Sequence, residues 1–309
     1  MRGKEKEVVL LDSGDLLFKR YFNPIPESDL RVIREKAYLI IESFNLMGYD
    51  AVGVGEDDLT LGKEFLMEIS KRANFPFLSS NLFDAKTKKP IFQPYLIQER
   101  NGLRIGIFSL ISPECFSGPA DPRMKGLMIQ NPMEVGREMI KELQTKADLI
   151  VLLSHLGYAK DVEFAQVNPG VRLIFGGHTG THLLYAPVIN NTAIFQTASK
   201  GMYAARVDLT LYHSEPTLTN SMQRRSFENS LQNIKGKLSS KNLSESERAQ
   251  WKRAQEEMER NIKNFQGKNE FTHTVFPLSD KTKGDPDLVK MIEAFKSRFS
   301  ETGPPSSPK

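Results

Sequence analysis

The chain of 309 residues, 39% hydrophobic and 26% charged, has the composition of an ordinary globular protein and is too long to need disulfides or a structural metal for its core. Its single cysteine, Cys115, excludes an intramolecular disulfide framework and the Cys-rich zinc ribbons, and reads as a small buried thiol beside Pro113 and Phe116. The formal charge of +4 arises beyond Ser214, where 17 Lys and Arg stand against 13 Asp and Glu with alternating signs, a pattern favouring a solvated helical face over a nucleic-acid groove.

No run approaches the 18 or so consecutive apolar residues of a membrane span. Met1 to Glu7 leads without a secretory signal into the strand-like run Val8 to Leu11. Localisation is therefore open: periplasmic or extracellular for a chain that has lost a signal, cytoplasmic otherwise. The run ends in the polar turn Asp12-Ser13-Gly14-Asp15. Leu30, Ile33, Ala37, Ile40, Ile41 and Phe44 recur at helical spacing over residues 29–47, and Gly48 is a stop signal. Ala51 to Val54 reads as a strand and Leu61 to Ala73 as a helix. Strands follow over Pro76 to Ser79, Gln93 to Gln98 and Leu103 to Leu110, with Asn101-Gly102 as a hairpin signal between the last two.

Pro132 opens a helix reaching Lys146 that buries Val135, Met139, Ile140 and Leu143. Leu149 to Leu153 and Val171 to Phe175 read as apolar strands, and Ala193 to Thr197 and Ala204 to Leu211 as two more. Helices between apolar strands imply crossovers, whereas adjacent strands imply antiparallel pairing. Residues 1–212 are thus expected to form one α/β domain with mixed sheets. Beyond it, Phe227, Leu231, Ile234 and Leu238, and then Trp251, Ala254, Met258, Ile262 and Phe265, mark the seams of two helices. An antiparallel hairpin over 220–266 is expected, either packing on its own domain or offering a surface to a protein partner. A late strand over Phe271 to Leu278 and a helix from Asp285-Pro286 to Phe299 complete a 213–302 extension, and the tail 303–309 is expected to be disordered.

Two histidines stand directly after apolar strands in glycine-containing turns, at Ser154-His155-Leu156-Gly157 and Gly176-Gly177-His178-Thr179-Gly180. Asp15 follows the first strand, and Glu56, Asp57 and Asp58 follow Val54-Gly55. Open α/β sheets place ligands beyond the carboxyl ends of their strands, and mixed imidazole and carboxylate donors suit Zn, Mn or Fe. Other motifs are weaker. Gly53-Val54-Gly55 has Asp58 where a dinucleotide fingerprint needs its third glycine, and no phosphate-loop Lys-Ser or Lys-Thr signature exists.

These stretches, together with Asn45 to Gly55, Phe75 to Asn81 and Gly102 to Phe108, resemble the calcineurin-like metallophosphoesterases, specifically their 5'-nucleotidase branch, over residues 7–212. The resemblance implies a four-layer α/β/β/α sandwich with a metal centre at the sheet ends. It implies that Asp15, His155 and His178 are metal ligands, with Glu56 at the position of a metal-binding Asn and Asp57 at that of the catalytic His. It also marks departures: no Asp-x-His strand stands before Val8, Thr60 replaces the acid that partners the catalytic His, and Gly180 replaces the second His of Gly-His-x-His. The expectation is one divalent transition metal, Mn, Zn or Fe, on Asp15, Glu56, His155 and His178. Asp57 and a displaced His182 are the catalytic candidates. The activity implied is metal-dependent hydrolysis of a phosphoric ester, a nucleotide or another phosphorylated small molecule, in an impaired or single-metal form. The alternative is a non-catalytic binding or assembly protein of the same fold, using the 220–266 hairpin.

Overall fold

The computed structural model describes residues 7–21, 23–212, 217–240 and 242–299. The expected tail at 303–309 lies outside the described residues. Of the described residues, those within 7–203 and 277–299 form one compact unit, and those within 204–276 form a second.

The first unit begins with β1 (Leu11–Asp12), α1 (Glu27–Met47), β2 (Ala51–Gly53), α2 (Gly62–Ser70) and β3 (Phe77–Leu78). α1 ends at Gly48, whose left-handed backbone returns its N–H to Phe44 and Asn45 carbonyls. β1, β2 and β3 form a parallel sheet, with Leu11 beside Ala51 and Val52 beside Phe77. Ala37 and Ile41 of α1 and Phe65, Leu66 and Ile69 of α2 share a core with Val52 and Val54, so these helices cover one side of that sheet.

Next come β4 (Leu82–Asp84), β5 (Tyr95–Arg100), β6 (Leu103–Ile111), β7 (Leu127–Ile129), α3 (Pro132–Leu143), β8 (Leu149–His155) and α4 (Tyr158–Val167). They are followed by β9 (Leu173–Gly176), β10 (Val188–Ile189) and β11 (Thr192–Phe195). The second sheet runs β10-β11-β9-β8-β6-β5. Its two outer pairings are antiparallel and its inner ones parallel. The Asn101-Gly102 turn joins β5 to β6 with both residues at positive φ, 49° and 78°.

β8 is buried along its whole length, which explains its unbroken apolar run. Ile150 and Leu152 share a core with α3 and α4. The alternate residues Val151, Leu153 and His155 point to the opposite face, toward the first sheet, and β2 lies against β6 and β8. The order helix, sheet, sheet, helix is the α/β sandwich expected from the sequence. Three features were not legible there: the two-stranded β4–β7 pair, the helix α4 and the edge strand β10. The last element of this unit, α7 (Pro286–Phe299), begins at Asp285, whose Oδ1 accepts the N–H groups of Asp287 and Leu288.

The second unit contains β12 (Tyr203–Thr210), β13 (Leu218–Asn220), α5 (Ser221–Leu238), α6 (Glu245–Lys263) and β14 (Asn269–Pro277). Its strands form a three-stranded sheet in the order β12-β14-β13. α5 and α6 are antiparallel: Phe227 meets Phe265 with ring centroids 6.0 Å apart, Lys235 faces Glu259, and Arg248 donates to the Leu238 carbonyl. A capping box of Ser244 and Glu247 starts α6. Ile234 is buried in the seam, whereas Phe227, Leu231, Trp251 and Met258 are half-buried. Among the described residues, no helix is long and apolar enough to cross a membrane.

Candidate functional site

Four parallel strands end at one place. The chain leaving β1 delivers Asp15, that leaving β2 delivers Glu56 and Asp57, β8 itself ends on His155, and the turn after β9 carries His178. Their convergence requires loops from the two sheets to approach closely. A β-carbon on Gly55 would collide with Asp15 and His155, and one on Gly14 would collide with the Gly55 main chain, so only glycine fits at either position. Asp15 and His178 hold left-handed backbone, φ 59° and 70°, a strained state for non-glycine residues of the kind that concentrates at functional sites.

Asp58 ties the first two loops together. Its Oδ2 accepts the N–H groups of Asp15 and Gly55, each at 2.9 Å, and its Oδ1 accepts that of Leu17 at 2.9 Å. Asp15 Oδ1 in turn accepts the N–H of Asp57 at 2.7 Å. Burial pushes the Asp58 carboxyl up to about 7, aided by the charge of Asp15 and opposed by the Gly55 and Leu17 N–H groups.

Glu56 lies between the two imidazoles. Its Oε2 is 2.7 Å from His155 Nε2 and its Oε1 is 2.9 Å from His178 Nδ1. Asp15 Oδ2 is 3.3 Å from His155 Nε2. Burial works against ionisation of Glu56, but the hydrogen bonds and charges of His155 and His178 outweigh it and hold this carboxyl well below the usual range. For His155, burial disfavours the charged ring, yet Asp15 and Glu56 prevail and raise its pKa well above the ordinary value.

Among the described residues two overlapping groups of donor atoms result, one of Glu56, Cys115, His155 and His178 and one of Asp15, Glu56 and Asp57, the atoms in each lying within 4.8 Å of one another. Both are partial and largely buried, and their donors can coordinate a divalent metal. Imidazole nitrogen, carboxylate oxygen and thiol sulfur form a set that fits a transition metal, whereas three carboxylates suit a harder ion.

Of the six residues singled out from sequence, Glu56, His155 and His178 fall in one donor group, Asp15, Glu56 and Asp57 in the other, and His182 in neither. Leu183 N–H bonds to the Gln196 carbonyl and Ala198 N–H to that of Thr181, so main-chain pairing holds His182 opposite Thr197. Its exposed ring lies 4.5 Å, centroid to centroid, from that of Tyr203, and it does not fill the place left at Gly180. Conversely, Arg123 was not legible in the sequence. Its guanidinium binds Asp57 Oδ1 at 2.7 Å while also gripping Asp121. Asp57 is pushed up to about 6 by burial and by Asp15 and Glu56, against the opposing charges of Arg123 and Arg20.

No family model matches the chain. It is 28% identical over 239 residues to a 5'-nucleotidase of Vibrio cholerae, a match taking in 67% of this chain and 42% of that protein. The chain thus matches less than half the length of that relative. Among solved structures, the sulfate thiohydrolase SoxB of Thermus thermophilus superposes on 95% of this chain and 43% of its own, with a TM-score of 0.67 and 18% identity. The calcineurin-like phosphoesterase YfkN of Bacillus subtilis superposes on 97% of this chain and 86% of its own, with a TM-score of 0.64 and 17% identity. These two likenesses concern the fold. The chain thus has the fold of a calcineurin-like phosphoesterase and is similar in sequence, at low identity, to 5'-nucleotidases.

Proposed function

We propose that the protein is a metal-dependent phosphoric ester hydrolase working with a single divalent transition-metal ion on Asp15, Glu56, His155 and His178. The observation that carries this reading is the position of Glu56, one oxygen on each imidazole and both imidazoles at strand ends. When bound, the ion supplies Lewis-acid polarisation of a phosphoryl oxygen. Glu56 and the histidines hold their places through the hydrogen bonds among them. Asp57 is the candidate for orienting an attacking water. Arg20, 4.0 Å from Glu56, is the cationic side chain beside the site that could meet a phosphate, whereas Arg123 is taken up by Asp57 and Asp121. Substrates in this reading are phosphorylated small molecules, nucleotides among them, and the similarity to 5'-nucleotidases supports a part in nucleotide catabolism.

One observation favours a second reading. The group at the position of a catalytic histidine is Asp57, and its carboxylate is already engaged by Arg123. A site without a free general acid suits a non-catalytic relative that retains the fold for binding or assembly, with the α5–α6 hairpin as a contact surface. The two are separated by assaying aryl phosphates and nucleoside monophosphates with added Mn or Zn, using His155→Ala and His178→Ala as controls. Ion-dependent turnover lost in both variants supports the hydrolase. Absence of any histidine-dependent turnover leaves the binding protein.

A further inference from the structure

We propose that Cys115 is a direct donor to the metal ion alongside Glu56, His155 and His178, in the place given above to Asp15, whose carboxylate groups instead with Glu56 and Asp57, and that the site therefore selects zinc over manganese. The inference rests on the single-ion reading above.

The placement follows from strand register. β6 and β8 are parallel, with Ile111 beside His155, so the chain leaving β6 emerges next to the end of β8. It turns at once through a 3₁₀ turn over Pro113–Cys115, where Pro113 supplies the start and Ser112 Oγ accepts the Glu114 N–H at 3.2 Å. Ser112 N–H bonds to the His155 carbonyl at 3.2 Å, and the Cys115 thiol donates to that same carbonyl at 3.3 Å. Sulfur is thereby held beside the residue whose imidazole faces Glu56. Glu56, His155 and Cys115 are each no more than 2% exposed, so water has little access to compete for their share of an ion.

The chemistry discriminates between metals. Thiolate suits zinc, with Zn–S bonds of about 2.3 Å, whereas manganese prefers carboxylate, carbonyl and water oxygen. Ligation forms a sulfur–metal bond, breaks the S–H bond and releases the proton to solvent, with no change of oxidation state. The thiol's hydrogen bond to the His155 carbonyl is the interaction given up.

Cobalt(II) is the probe, loaded into the full chain after chelation. Cys115 is the only cysteine, so a near-ultraviolet thiolate-to-cobalt charge-transfer band in the unaltered protein can come from no other residue. That band is expected, and expected to vanish in Cys115→Ser. The same change should weaken zinc binding by more than the roughly 10- to 100-fold typical of losing an outer-sphere partner, while manganese binding changes far less. Stoichiometric cobalt binding without the band overturns the role of Cys115 and leaves the single-ion reading intact. Failure of the unaltered protein to retain cobalt or zinc overturns the single-ion reading itself.

Discussion

The ring Nδ1 of His155 donates to the main-chain carbonyl of Ser13 at 2.9 Å. A carbonyl can only accept, so the bond fixes which ring nitrogen carries that proton and turns Nε2 toward Glu56 and Asp15. Ser13 is held in turn, its hydroxyl donating to the Phe175 carbonyl of β9 at 2.7 Å. Three strand ends thus cooperate to aim one imidazole.

From this orientation, divalent transition metal is expected to bind at one tight equivalent per chain and to stabilise the fold. An ion at 100 times its dissociation constant adds about 2.7 kcal/mol. Calorimetric melts with and without Zn or Mn should show this gain, and His155→Ala and His178→Ala should lose it. Elemental analysis returning two ions, both lost in Asp15→Ala, would instead show that Asp15, Glu56 and Asp57 assemble a second tight site.

Leaving-group dependence should expose the missing general acid. Positioned proton transfer typically contributes about 100- to 10,000-fold. Aryl phosphates, whose leaving groups need no protonation, should therefore be cleaved faster than AMP by a factor in that range. Comparable turnover on both, at the usual enzymatic rates of about 1 to 1000 per second, would refute the impaired site.

Gly55→Ala tests the close approach of the loops. The added methyl meets the Asp15 main chain and carboxylate and the His155 ring, atoms that cannot move without opening the site. Destabilisation of about 1–3 kcal/mol, usual for overpacking, should accompany loss of metal-dependent stabilisation. Chemical denaturation with and without zinc measures both, and an unaltered zinc response would contradict the geometry.

Asp161 gives a pH dependence outside the donor groups. It is fully buried, with Oδ1 bonded to the Ser154 hydroxyl and no hydrogen-bond partner for Oδ2, and burial pushes its carboxyl up to about 7 against the opposing Ser154 bond and His155 charge. The folded chain therefore holds this proton where the unfolded chain has lost it. Its contribution to stability falls as pH rises from about 4 to about 7, by on the order of 4 kcal/mol. Asp161→Asn should remove that decline and be more stable than the parent at pH 8. Urea midpoints of the two proteins at pH 5 and pH 8 decide it, and parallel pH profiles would be the contrary result.

In the α5–α6 hairpin, Trp251 is half-buried, with the Lys237 ammonium 5.1 Å from its ring centroid, and Ile234 is buried. Trp251→Ala should cost about 2 kcal/mol, roughly half that of a fully enclosed aromatic, whereas Ile234→Ala should cost about 2–5 kcal/mol. Unfolding followed by a probe in the hairpin checks the order of the two.

What the sequence determined by itself was local. The 3.6-residue spacing in α1, α3, α5 and α6, the apolar run of β8 and the Asn101-Gly102 turn depend on neighbours in the chain, and so they were legible. Strand-end placement likewise announced Asp15, Glu56, His155 and His178, because a polar residue after an apolar strand in a glycine turn needs no distant partner to be noticed. Tertiary structure alone decided the rest. Cys115 reaches the donor group because β6 and β8 pair in one register, and Arg123 reaches Asp57 across 66 positions of chain. His182 does not take the place left at Gly180 because backbone pairing holds it opposite Thr197. Each of these depends on which segments become neighbours in space, and no periodicity along the chain encodes that.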